Sequence, residues 1–183
     1  MAGTPETATS ADFGAIQALV RDNECLMAIG KAEGDAELTR IGTDYVANVL
    51  ATEMVSWESL QQRFEPAGRG KLWVLREKGS VVGCIGVVES EQGGGDDMEL
   101  VRMYVDQSCR RRGFGRILVS ALVEHVTGLG VKRVTLTTPS ANRSGIGFYE
   151  SVGFTKEKVF TVTSSGLPLE LSELVMAVQA DGN

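Results

Sequence analysis

The sequence predicts an α/β fold, and three observations carry that prediction. Apolar residues recur at helical spacing through the first part of the chain. The pattern switches to period two after Gly70, and from Met98 onward apolar strand-like runs alternate with amphipathic helical stretches. The 183 residues, 43% hydrophobic and 23% charged, suit one domain able to bury a core, since domains run to roughly 100–200 residues. Residues 1–9 read as a flexible N-terminal tail and residues 10–180 as a single domain.

Ser10 is placed to cap a helix through Asp22, in which Phe13, Ile16, Gln17, Leu19 and Val20 form a mostly apolar stripe. After a break at Lys31–Gly34, the spacing of Leu38, Ile41, Tyr45, Val49 and Leu50 gives a second helix from Asp35 to Ala51. Trp57–Phe64 adds a further turn or two before Pro66-Ala67-Gly68 stops it. Lys71–Arg76 and Val81–Val88 then read as a β-hairpin turning at Lys78-Gly79-Ser80. A glycine-rich acidic loop, Glu89–Asp97, leads into a strand over Met98–Val105. Ile117, Leu118, Ala121, Leu122 and Val126 share one face of a helix over Gly113–Gly128, and Val131–Thr138 is a short strand. Asn142–Val152 suits one more helix ending at Gly153. Phe154–Thr163 and Leu171–Val178 close the chain as strands linked through Ser164–Pro168.

Composition removes several classes of function. A formal net charge of −6 argues against nucleic acid or an anionic membrane as partner, because either would want a basic surface. Cys25, Cys84 and Cys109 are an odd count without C-x-x-C spacing, and the single histidine, His125, has no ligand partner nearby in sequence. Zinc sites, disulfide scaffolds and Ser-His-Asp chemistry therefore lack raw material, and no metal is expected. No stretch approaches the roughly 18 consecutive apolar residues of a membrane span, and Met1–Ser10 lacks the charged start and apolar middle of a signal peptide. A cytoplasmic protein is the expectation. Twenty-two glycines in 183 residues exceed the roughly 7% average, so their positions matter.

The densest signal lies between Met98 and Phe154. A strand runs into Arg110-Arg111-Arg112-Gly113-Phe114-Gly115-Arg116, where the apolar helix begins. Unpaired N–H groups at a helix start, glycines that allow close approach and arginines that add charge make an anion cradle suited to a pyrophosphate. A P-loop would need G-x-x-x-x-G-K-[ST] and a dinucleotide fingerprint G-x-G-x-x-G; neither is present. What fits is [Q/R]-x-x-G-x-[G/A], matched by Arg110, Gly113 and Gly115, and further on Asn142-Arg143-Ser144-Gly145-Ile146-Gly147-Phe148-Tyr149-Glu150-Ser151-Val152-Gly153-Phe154 resembles N-x-x-A-x-x-[FL]-Y-x-x-x-G-F. These two segments resemble the acetyl-CoA signature and the following helix of the GNAT superfamily of N-acetyltransferases. The one departure at a core position is Gly145 where alanine is usual, a loss of up to ~1 kcal/mol of helix propensity but of no chemistry. The similarity covers about Ser10 to Val178 and is weakest at the N-terminus, where no convincing first strand is visible. Trp57–Gly83 and Glu99-Leu100-Val101-Arg102 look most like the camello-type branch, which usually carries a membrane segment; none is expected here.

The resemblance implies a three-layer α/β/α fold: a mixed, mostly antiparallel twisted sheet with helices on both faces and a V-shaped opening between its fourth and fifth strands. It implies that the pantetheine arm lies in that opening against the main chain of Met103, Tyr104 and Val105, with a backbone N–H polarising the thioester carbonyl. Gly113, Phe114, Gly115 and Arg116 would hold the diphosphate through N–H groups. Arg110 opens the motif, and Arg111, Arg112 and Arg116 are candidates for phosphate pairing, against the plainer reading of a solvated charge run. Tyr149 holds the family's position for a general acid to the departing thiolate, against the plainer reading of a core tyrosine. Asn142 either bonds the pantetheine or caps its helix. Glu99 stands where some members carry a catalytic glutamate; a carboxylate buried in a central strand would have a raised pKa useful in a base, although a mere water-holder is the equal alternative.

The implied reaction moves acetyl from acetyl-CoA to a primary amine of a small molecule or peptide by direct attack in a ternary complex. Transfer of a different acyl group, and a noncatalytic acyl-CoA-binding regulatory module, are the alternatives. The resemblance also admits a homodimer through the last strands. Acceptor contacts are expected from the helical N-terminal segment and from Ser164–Pro168. An acidic lip of Glu89, Glu91, Asp96 and Asp97 could attract a cationic amine, but a solvated hairpin loop is the plainer reading. His125 reads as surface, Cys84 as core, and Cys109 as an exposed, oxidisable thiol beside the cofactor loop. Trp57, Trp73, Met54 and Met103 read as core packing.

Overall fold

The computed structural model describes residues 3–22, 29–31, 33–64, 68–90 and 95–178. Outside them lie the start of the expected tail, Cys25, part of the break at Lys31–Gly34 and the Pro66-Ala67 stop. Glu91 and Gly93-Gly94 of the acidic loop and the last residues of the expected domain also lie outside.

In chain order the elements are β1 (Glu6–Thr7), α1 (Phe13–Asp22), α2 (Ala36–Thr52), α3 (Trp57–Phe64), β2 (Lys71–Glu77), β3 (Ser80–Glu89) and β4 (Asp97–Val105). They continue as α4 (Phe114–Gly128), β5 (Arg133–Pro139), α5 (Arg143–Ser151), β6 (Thr155–Ser164) and β7 (Leu167–Ala177). The strands form one sheet in the order β1-β2-β3-β4-β5-β7-β6. All neighbours are antiparallel except β4 and β5. Helix caps and turns follow side-chain chemistry. Asp35 accepts from the N–H groups of Glu37 and Leu38, each at 2.9 Å, and so starts α2. Lys78 and Gly79 both take left-handed conformations (φ 51° and 84°), the pair that a two-residue hairpin turn requires.

Two cores sandwich the sheet. On one face Leu118, Leu122 and Val126 of α4 and Ile146 of α5 pack on Met98, Leu100, Val134, Leu136 and Leu174. On the other, Ile16, Leu19 and Val20 of α1, Val49 of α2, and Leu60 and Phe64 of α3 pack on Val74, Cys84 and Val88. Each such side chain stabilises the fold by roughly 1.5–3 kcal/mol through removal from water. The three-layer α/β/α arrangement is therefore observed.

Three local expectations are corrected. The stretch read as a tail contains β1, whose residues Glu6 and Thr7 pair with Val74 and Trp73, while the Ala8 N–H donates to the Leu72 carbonyl at 2.9 Å. A two-residue strand is too short to show alternation, which is why the sequence pattern misses it. The first helix is entered at Thr9 instead of Ser10: a 3-10 turn, Ser10–Asp12, precedes α1, and the Thr9 N–H and hydroxyl both donate to the Asp12 carboxylate at 3.0 Å. Finally, the Ser164–Pro168 connection is a two-residue turn, with Ser165 and Gly166 left-handed (φ 51° and 76°) and Leu167 and Pro168 already in β7. Pro168 is tolerated because β7 pairs with β5 only from Leu171 onward, so its missing N–H leaves no gap in that ladder.

α2 spans the second face obliquely in its contacts. Ile41, with Leu38 beside it, packs on Leu169 of β7, the Arg40 guanidinium donates to the Ser165 carbonyl at 3.0 Å, and Val49 enters the core under β2 and β3. The helix thus roofs the sheet between β7 and the central strands.

Candidate active site

β4 and β5 pair only at Asp97↔Arg133, Met98↔Val134 and Glu99↔Thr135. Beyond Glu99 the two strands part, so the β5 side of the Leu100–Val105 main chain has no strand partner among the described residues. This is the expected V. Glu99 stands at its vertex, paired to Val88 of β3 on its other side. Its side chain is half-buried, not enclosed as expected, because the parting of the strands opens that end of the sheet to solvent.

The far side of β4 is distorted. Gly86↔Val101 and Cys84↔Tyr104 are consecutive registers, so β4 carries one residue more than β3 between them. Arg102 sits in this bulge with φ 54°, a left-handed conformation that is strained for any residue with a Cβ. Met103, Tyr104 and Val105 follow beyond the last β4–β5 rung, Tyr104 and Val105 pairing with Cys84 and Gly83 of β3, and the Val105 carbonyl accepts from Arg110 Nε at 3.2 Å.

β4 leads through a 3-10 turn, Gln107–Cys109, capped by the Asp106 carboxylate, to the start of α4. Gly113 is the residue before the helix, with φ 85° and nothing within 4 Å of where a Cβ would sit. Among the described residues no side chain caps the helix there, so the first amides, Gly113 to Arg116, present donors where the helix dipole is positive. Gly115 has a different reason to be glycine. A Cβ would lie 2.9 Å from the Phe148 ring and 3.3 Å from the Met103 methyl, so this glycine lets α5 close against α4 and β4.

The arginines are not equivalent. Arg112 is committed to a bidentate pair with Glu77 and lies over the Phe114 ring at 4.8 Å; Arg116 donates to the Ser151 carbonyl and hydroxyl at 3.0 and 3.1 Å. Two of the three expected phosphate ligands therefore already tie elements together. Arg111, left-handed at φ 62° and exposed, makes no such contact among the described residues.

On α5, Asn142 accepts from the Gly145 N–H at 3.1 Å while its amide donates to Thr138 Oγ1 at 3.1 Å. Its side chain is thus a cap. A Cβ at residue 145 would fall 2.2 Å from the Asn142 amide nitrogen, so alanine there would require the Asn142 side chain to shift. Tyr149 is half-buried, with its ring 5.4 Å from Phe148 and 5.8 Å from Phe154. α5 therefore holds Tyr149 on the α4 face, while α2 lies on the face opposite.

Several plainer readings also resolve. Cys84 is fully buried, its thiol pushed up to about 12 by burial, and its Sγ donates to the Arg102 carbonyl at 3.3 Å. Cys109 is buried as well, not exposed, because the turn folds it under Glu77 and Arg112. His125 is not a free surface group: its Nε2 lies 2.9 Å from the Arg69 carbonyl and its ring meets Trp73 edge-on at 5.2 Å. The described acidic residues of the loop before β4 are ion-paired, Glu89 with Arg69, Asp96 with Lys132 and Asp97 with Arg133.

A cluster that sequence reasoning missed lies beneath α2. Arg102 is 8% exposed, donates from one guanidinium nitrogen to the Tyr45 hydroxyl at 2.8 Å and from another to Glu53 Oε2. Arg63 of α3 reaches the same Glu53 oxygen at 3.1 Å. The Nε atoms of both arginines are buried without a hydrogen-bond partner. Burial disfavours the Arg102 charge, yet Tyr45, Tyr104 and Glu53 raise its pKa above the ordinary value. The one available signal was an arginine inside the otherwise apolar run Leu100–Val105.

Among the described residues no helix is long and apolar enough to cross a membrane. The chain is similar to human N-acetyltransferase 8, 27% identical over 116 residues that cover 62% of this chain and 50% of that one. It is also similar to the probable N-acetyltransferase camello of Xenopus laevis, 30% identical over 87 residues covering 48% of this chain and 39% of that one. It thus spans half or less of these curated relatives. The crystal structure of the ribosomal-protein-S18-alanine N-acetyltransferase from Escherichia coli superposes with a TM-score of 0.67 over 100% of this chain and 97% of that one, at 16% identity, a likeness of fold. A family profile described as "Acetyltransferase (GNAT) family" matches residues 40–154, from within α2 to Phe154, and the chain belongs to that family.

Proposed function

We propose that this protein is an acetyl-CoA-dependent N-acetyltransferase acting on a primary amine of a small molecule or peptide in a ternary complex. The observation that carries the reading is the parting of β4 from β5 at Glu99↔Thr135, beside an uncapped helix start at the left-handed Gly113. A strand edge that has parted from β5 suits an amide-bearing arm such as pantetheine, and the amides at the start of α4, Gly113 to Arg116, suit a diphosphate. Arg111 is placed to add charge there, and Arg110 steadies the strand end through Val105.

The donor supplies its acetyl group as a thioester. Glu99, at the vertex, takes a proton from the acceptor ammonium directly or through a water, leaving the lone pair free to attack the thioester carbonyl. A main-chain N–H of the Met103–Val105 edge donates to the carbonyl oxygen as its charge grows. Tyr149 gives its phenolic proton to the departing sulfur as the C–S bond breaks, and the second proton of the acylated nitrogen passes through water to the phenolate, so that a neutral amide and a free thiol leave.

The test is release of free thiol from acetyl-CoA across a panel of amines, with thermal stabilisation by CoA measured alongside. Thiol release with an N-acetylated product is expected. Stabilisation by CoA without release from any amine would replace catalysis with acyl-CoA sensing, and the absence of both would end the reading.

A further inference from the structure

Arg102 stands out because three of its features run against economy of folding. It lies in a left-handed bulge, it buries a guanidinium, and it leaves the Nε of that guanidinium unpartnered. Buried polar groups are ordinarily satisfied, and an orphan donor on a charged group is costly. Arg63 repeats the last feature within the same cluster. Among the described residues one carboxylate, Glu53, faces both guanidiniums, so the described cluster carries more cationic than anionic groups inside a protein whose overall charge is −6.

Its place matters as much as its charge. Arg102 belongs to the stretch of β4 that has left β5, and its side chain reaches Tyr45 of α2. One helical turn before Tyr45, Ile41 packs on β7. Tyr45 and Arg102 are thus held where α2 passes between the β7 hairpin and β4, on the face opposite Tyr149. Tyr45 is 41% exposed, and the Glu53 and Arg63 side chains are 27% and 35% exposed, so solvent reaches the cluster's rim. A cationic acceptor finds no matching attraction at the loop before β4, whose described carboxylates are already paired.

We infer that Arg102 and Arg63, ordered by Glu53 and Tyr45, bind a carboxylate on the acceptor, so that the substrates are amines bearing a carboxylate, the amino-acid class. This rests on the acetyltransferase reading above. A carboxylate at the cluster's rim offers acceptor oxygens to the guanidiniums and adds a counter-charge to the one Glu53 supplies. The same contacts fix the distance between anchor and reacting amine, so they select among amines by the position of the acid group.

The experiment compares kcat/KM for amino acids, for the matching amino-acid amides and for the matching decarboxylated amines, in the parent and in Arg102→Gln and Arg63→Gln. The parent should favour the acids by about tenfold or more, the preference expected when a built ionic site loses its partner. Both variants should collapse the acid-to-amide ratio toward one, chiefly through KM for the acids. Arg63→Gln serves as the decisive variant if the strained Arg102 position does not tolerate glutamine. Thermal stabilisation by N-acetylated amino acids in the presence of CoA, weakened in Arg63→Gln, reads the same contact without turnover. Equal rates with acids and amides in the parent, or variants that slow all acceptors by one factor, would overturn the inference while leaving the acetyltransferase reading intact. Failure of every amine to release thiol would instead remove that reading, and the inference with it.

Discussion

Gly113 and Gly115 stand two residues apart, share one motif and answer to different physics. At Gly113 the backbone conformation demands glycine, since φ is 85° and the Cβ direction is open. Gly113→Glu should therefore cost about 1–2 kcal/mol of stability from the left-handed conformation and, by setting a carboxylate among the helix-start amides, abolish acetyl-CoA binding. Calorimetric titration with CoA checks this; retained affinity would move the diphosphate elsewhere. At Gly115 space decides, because the Phe148 ring sits 2.9 Å from the missing Cβ. Gly115→Ala should lower stability by about 1–3 kcal/mol, the usual range for overpacking, as read from urea midpoints. Phe148→Leu added to it should restore part of the loss, whereas a purely conformational cause would leave the double variant no better.

At the scale of elements, chemistry depends on where β4 and α5 end. Glu99 gains its position from the last rung shared by β4 and β5, and Tyr149 is held by ring contacts to Phe148 and Phe154. If Glu99 is the base, Glu99→Gln should remove the acidic limb of the kcat/KM profile and lower kcat by roughly 10²–10⁴-fold, the span of general-base effects. Tyr149→Phe should slow turnover with little loss of CoA affinity. A pH profile that superimposes on the parent would send the base role to another group. Helices α1 to α5 and the β2–β3 hairpin were legible because their apolar spacing and turn residues state them outright, as Ile41, Tyr45 and Val49 do on α2. The V was legible only through family resemblance, since no residue in β4 announces where β5 leaves it. β1 was too short to show a period, and the Arg102 cluster was hidden because Tyr45, Glu53, Arg63 and Arg102 meet only in three dimensions. For the same reason the sequence treated Arg111, Arg112 and Arg116 as equal, while Glu77 and Ser151 had already claimed two of the three.

Over the whole molecule, the described N-terminal segment is bound to the sheet by one buried acid. Asp12 has a side chain 3% exposed and pairs with Arg76 of β2, while the Thr9 N–H and hydroxyl donate to its other oxygen. Burial alone would push its carboxyl up, but the Thr9 hydrogen bonds and the Arg76 guanidinium outweigh burial and hold it below the usual 3.8. A carboxyl depressed in the folded state binds its proton more readily once unfolded. Its contribution is therefore complete above the unfolded value of about 3.9 and is lost as pH falls through the lower folded value. Asp12→Asn should reduce stability at pH 7 by about 1–3 kcal/mol, because it removes the charge facing Arg76 and leaves hydrogen bonds imperfectly matched. The gap between parent and variant in urea unfolding should stay level from pH 7 to about pH 5 and narrow below about pH 4, as Asp12 protonates in the parent. A gap unchanged down to acid pH would mean that the Asp12 charge contributes nothing and that the β1 ladder, the Ala8 N–H bond to Leu72 and packing of Ala8, Ile16 and their neighbours hold this end of the chain to the sheet.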